Sequence, residues 1–142
     1  MKFIKNKKIM SLLVCGLLAV PLIMGFSKNS VGALKKFGQT VNGLTEVTDK
    51  NTSLIYSISV GNASSTHAYL QVFDADSDDV TLGTTTPDYE IFVATGQTVV
   101  WPQSGGTPIL HSTGLSVAGT SNSEGASLTD LIVAIGYADK EI

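Results

Sequence analysis

From Glu46 to the end of the chain no stretch keeps a helical period. Apolar residues alternate with polar ones in runs of four to eight, each closed by Gly, Pro, Asp or Ser. Leu54, Tyr56 and Ile58 alternate with Ile55, Ser57 and Ser59 ahead of Gly61-Asn62. Tyr69–Phe73, Tyr89–Val93, Gln97–Trp101, Ile109-Leu110, Leu115–Ala118 and Leu131–Ile135 follow, all rich in β-branched or aromatic residues. A period of two puts one side of a chain against a core and the other side outward, and short runs between turn residues are strands. Seven or eight such strands predict an all-β domain, a single antiparallel β-sandwich or jelly roll over residues 46–142. The expected core comprises Leu54, Ile58, Leu70, Val72, Ile91, Val93, Val99, Leu115, Val117, Ile132 and Ala134, or their immediate neighbours.

The first part of the chain is of another kind. Four lysines lie within residues 1–8, and Ile9 to Phe26 is 18 residues without a charge. A helix of that length spans about 27 Å, near the hydrocarbon thickness of a bilayer. Residues 1–26 therefore read as a membrane anchor or as a secretory signal, with small residues before Lys28 or before Leu34 offering cleavage positions. In either case membrane lipid is the expected partner of this segment. Between the two parts, residues 27–45 place Val31, Leu34, Phe37, Val41 and Leu44 at helical spacings, which predicts a basic amphipathic connector or a tether. Gly32, Gly38 and Gly43 each weaken a helix there by about 1 kcal/mol.

Charge follows the same division. Residues 1–44 hold seven lysines and no acid, and the remainder holds two lysines and all 12 acids. The basic end is drawn to an anionic membrane face, whereas the acidic domain repels nucleic acid. The chain has no arginine, so bidentate recognition of phosphate or guanine is ruled out. Cys15, the single cysteine, lies in the apolar run, so no disulfide braces the domain.

The sequence displays little catalytic chemistry. Asp74, Asp76, Asp78 and Asp79 match the start of a calcium loop, but Asp79 stands where a glycine is needed and Thr85 where the bidentate glutamate belongs. They are a calcium candidate and otherwise a solvated loop tip. His67 and His111 have no Cys or His near them in sequence, so zinc spacing is absent. Asp88 and Glu90, two residues apart on one strand face, are a carboxylate pair that a glycosidase would need to set in a cleft. Asn51-Thr-Ser53 and Asn62-Ala-Ser64 are formal glycosylation sequons. No catalytic residue and no cofactor is expected, and Trp101 is the aromatic that would serve a sugar platform if exposed.

The segments YLQVFDA, TLGTTTPDYEIFVATGQ, HSTGLSVAGTS and LIVAIGY, between Tyr69 and Tyr137, resemble small β-sandwich proteins encoded by bacteriophages. The likeness covers about half the chain and rests on strand-and-turn motifs. It implies a virion structural or accessory domain that assembles as a homo-oligomer, and it carries no active-site residues. The apolar N-terminal segment departs from ordinary head and tail components. It implies a membrane-associated virion protein, or a secreted or surface-anchored bacterial subunit that shares the domain.

Overall fold

The structure, a computed structural model, describes residues 33–48, 52–101 and 107–139. The apolar run Ile9–Phe26 and the sequon at Asn51 lie outside the described residues. Among the described residues the strands are β1 (Lys35–Val41), β2 (Thr45–Thr48), β3 (Ser53–Gly61), β4 (Ala68–Phe73), β5 (Tyr89–Val93), β6 (Thr98–Trp101), β7 (Ile109–His111), β8 (Leu115–Thr120) and β9 (Leu131–Asp139). All pairings are antiparallel.

They form two sheets. The first has the order β1-β9-β3-β6, with β7 also paired to β3; the second has the order β2-β8-β4-β5. β6 lies against Ile58–Gly61 and β7 against Ser53–Ile55, so the two together occupy one edge position beside β3. The chain crosses between sheets at nearly every connection and stays within one sheet only from β4 to β5 and from β6 to β7.

Inward residues of the two sheets meet in one core. Val41, Ile55, Ile58, Val60, Val133 and Ile135 of the first sheet pack with Leu70, Val72, Ile91, Val93, Leu115 and Val117 of the second. Phe37, Val99, Trp101 and Tyr137 close its sides. At roughly 25 cal/mol per Å² of apolar surface removed from water, this burial is the main force holding a domain that has no disulfide.

One expectation needs correction, and two choices between neighbouring residues are resolved. Lys35–Val41 is a strand, not part of a helical connector, and the sandwich therefore begins ahead of Glu46. Residues 37, 39 and 41 face Ile135, Val133 and Leu131 of β9. Strand pairing with β9 wins over a helical stripe already weakened by glycines. In β9 the inward set is Leu131, Val133 and Ile135, while Ile132 is 59% exposed. That run is apolar at every position, so its alternation does not reveal which face turns inward. In β3 the register shifts between Ile55 and Ser57. A bulge there puts both Ile55 and Ile58 inside and turns Tyr56 outward, so Leu54 is not the buried residue.

The outer faces of the two sheets differ. On the second sheet, Phe73 and Ala118 are buried beneath Val80, Leu44, Ala75 and Leu82 of the neighbouring loops. Gln71 is also covered, its Nε2 donating to Gly125 O at 3.2 Å. Among the described residues no such cover lies on the first sheet. Its outward rows run Thr40–Ile132–Gly61–Thr98 and Gly38–Ala134–Ser59–Val100, with Lys36–Gly136–Ser57 below.

The inside-outside assignment of β9 has a direct test. Ile135→Ala should lower the unfolding free energy by about 2–4 kcal/mol and Ile132→Ala by less than about 0.5 kcal/mol in urea titrations. Equal effects would contradict the register.

Candidate functional site

The acidic loop after β4 is an internal latch. Asp74 follows the last residue of β4, and its carboxylate accepts from Ser112 N at 2.8 Å and Thr113 N at 2.9 Å. Both hydroxyls add to this, Ser112 Oγ at 3.1 Å and Thr113 Oγ1 at 3.0 Å. The Asp74 amide in turn donates to Asp88 Oδ2 at 2.6 Å. One residue thus ties the end of β4 to the β7–β8 turn and to the start of β5. Gly114 completes that turn at φ 153°, and a Cβ there would stand 3.0 Å from the Ala75 carbonyl carbon. Only glycine lets the two loops approach so closely.

The four calcium-candidate carboxylates are not brought to one point. Asp74 is turned to Ser112 and Thr113. Asp76 caps the short 3₁₀ turn Ser77–Asp79, its Oδ1 accepting from Asp78 N at 3.2 Å. Asp78 and Asp79 point to solvent. Among the described residues no three His, Cys, Asp or Glu side chains are grouped to hold a metal ion. The Asp88–Glu90 pair is likewise divided. Asp88 serves Asp74, while Glu90 accepts from Ser123 Oγ at 2.5 Å and Glu124 N at 2.6 Å. Those bonds pin the β8–β9 loop to the second sheet, with Glu124 held at φ 51°.

His111 is the residue whose position the sequence least reveals. It ends β7, is 1% exposed, and has no hydrogen-bond partner at either ring nitrogen. Its Nδ1 lies 3.9 Å from Asp74 Oδ1, and its ring lies 6.0 Å from that of Tyr89. Burial pushes its pKa below the ordinary imidazole value, partly offset by the Asp74 and Asp88 carboxylates and the Gly114 backbone. For Asp74, burial acts upward, but the bonds from Thr113 and Ser112 outweigh it and hold the carboxyl below its usual range. Ser112 and Thr113 lie 38 and 39 positions from Asp74, so no local spacing signals this arrangement.

The aromatic residues divide into two groups. Trp101 packs partly buried against the core, with Tyr89 beside it at a centroid distance of 5.7 Å. It does not present an open platform. The exposed cluster is instead His67, Tyr69 and Phe92, with centroids 5.4–5.9 Å apart at the β4–β5 edge of the second sheet. Phe92 is 53% exposed. The Asn62 sequon is unsuited to a glycan. Asn62 is 3% exposed, and its amide donates to Thr66 O at 2.8 Å and Val93 O at 3.0 Å.

No known protein family matches the chain. No curated protein sequence matches it either.

The latch fixes a pH response. The unfolded chain takes up a proton at His111 that the folded chain resists, so stability falls as pH drops below about 6.5. Asp74 contributes above its unfolded-state value of about 3.9, and that contribution is lost as pH falls through its lower folded value. Melting temperatures should therefore decline between about pH 7.5 and 5, and His111→Leu should flatten the decline. An unchanged slope in the variant would contradict the buried neutral imidazole.

Proposed function

We propose that the chain is a membrane-associated structural protein of a phage virion. In this reading residues 9–26 hold it at a lipid layer, and the β domain makes contacts with its own copies and other virion proteins. The observation that carries the reading is the strand order. Two sheets ordered β1-β9-β3-β6/β7 and β2-β8-β4-β5, with the chain crossing between them, make the eight-position jelly roll found in viral capsid domains. A fold alone does not fix a function. Two further features favour assembly. The acidic groups Asp74 and Glu90 hold loops together, and no described residue covers the outer face of the first sheet. The likeness of the Tyr69–Tyr137 segments to phage sandwich proteins points the same way.

Jelly rolls also occur in lectins, and the exposed His67–Tyr69–Phe92 cluster gives a second reading as a carbohydrate-binding module. Stacking on a sugar would need Phe92 and Tyr69, with Trp101 playing no direct part.

Fractionation separates these readings. The virion reading predicts that the chain purifies with intact particles and floats with their lipid, at an intact mass that retains residues 1–26. Recovery solely from the envelopes of uninfected cells contradicts it. Sugar binding abolished by Phe92→Ala, with the fold intact by circular dichroism, would favour the lectin-like reading instead.

A further inference from the structure

The bare face of the first sheet has the chemistry of a contact surface between two copies of the chain. Its middle is made of small residues, Gly38, Ala134, Ser59 and Gly136, which let another sheet approach closely. A Cβ placed at Gly38 meets nothing within 4 Å. Larger apolar side chains stand out around this centre: Ile132 at 59% exposed, Val100 at 52% and Leu110 at 50%. The second sheet buries its outward Phe73 and Ala118 under its own loops, whereas no described residue covers the outward row of the first sheet.

Charge on this face is placed at two ends. Lys36 stands at one end of β1, and exposed Asp130 precedes β9 beyond the Thr40–Ile132 row. By strand rise the two are about 20 Å apart within one chain. Neither forms an ion pair among the described residues. Lys35 differs, since its ammonium is paired with Asp139. A two-fold axis between the Gly38–Ala134 and Thr40–Ile132 rows brings Lys36 of each copy to Asp130 of the other. The same rotation lays the apolar rows against each other, giving the self-complementary pattern that a two-fold interface requires.

We propose that a second copy of this chain docks face to face on the outer side of the β1-β9-β3-β6 sheet, with two Lys36–Asp130 pairs closing its ends. This deepens the assembly reading above by naming the surface and the partner.

The test uses the full chain, mixed as unlabelled and ¹⁵N-labelled protein in mild detergent and treated with a zero-length carbodiimide. The expected product joins Lys36 of one isotope to Asp130 of the other, a link that the separation within one chain forbids. A second readout is dimer yield with a bismaleimide at Ala134→Cys in a Cys15→Ser background. Gly38→Arg, at a position where a Cβ meets nothing within 4 Å, and Val100→Arg, at a half-exposed position, should each cut that yield more than roughly tenfold while leaving the circular dichroism of the fold unchanged. Exchanging the charges as Lys36→Asp with Asp130→Lys should restore a yield that either change alone lowers. The proposal is overturned by dimers whose links avoid Lys36 and Asp130, by yields indifferent to both arginines, or by links from the face to a different protein. Any of these in protein that still purifies with particles removes the interface and leaves the virion reading standing.

Discussion

The antiparallel pairing of β3 with β9 is the constraint on which the rest depends. Each is nine residues long, both are central in the first sheet, and β9 joins β1 to the sheet while β3 joins β6 and β7. The inward sides of this pair, Ile55, Ile58 and Val60 with Val133 and Ile135, supply most of the floor onto which the second sheet packs. With no disulfide, the register of this pair decides which side chains are core and which are surface. The bulge at Tyr56 is the local device that keeps both Ile55 and Ile58 inside.

Much of this is legible in the residues, and the failures have physical causes. The second sheet reads well because β4 and β5 pair apolar alternation with clear turn punctuation, and Leu70, Val72, Ile91 and Val93 are buried as that alternation requires. β9 is apolar throughout, so its existence is plain but its facing is not. β1 escapes a pattern reading because Phe37 and Val41 fit either a helical or a strand spacing, and only β9, far along the chain, chooses between them. β2 is too short to announce itself. The Asp74 latch and the buried His111 depend on contacts between residues nearly 40 positions apart, which no local motif encodes.

The polar chemistry explains why the loops are ordered. Asp74, Asp88 and Glu90 each accept from backbone donors of a neighbouring loop, Asn62 donates to the end of β5, and Asp76 caps its own turn. Acidic residues that suggest cation binding in the sequence thereby act as turn caps and cross-links. The bonds of Asp74, Asp76 and Asp88 stiffen the end that carries the β4–β5 and β7–β8 connections, and those of Asn62 tie the β3–β4 loop to the end of β5. The outer face of the first sheet, with Ile132 and Val100 exposed, carries no such loop cross-links among the described residues.

Assembly through the outer face of the first sheet is the central claim, and side-chain footprinting by hydroxyl radicals on the full chain, concentrated and dilute, tests it most directly. The account predicts that Ile132, Val100 and Leu110 are protected in the assembled state and become reactive when the protein is dispersed, while Tyr69 and Phe92 react alike in both. Equal reactivity of the sheet-face residues in the two states would contradict it.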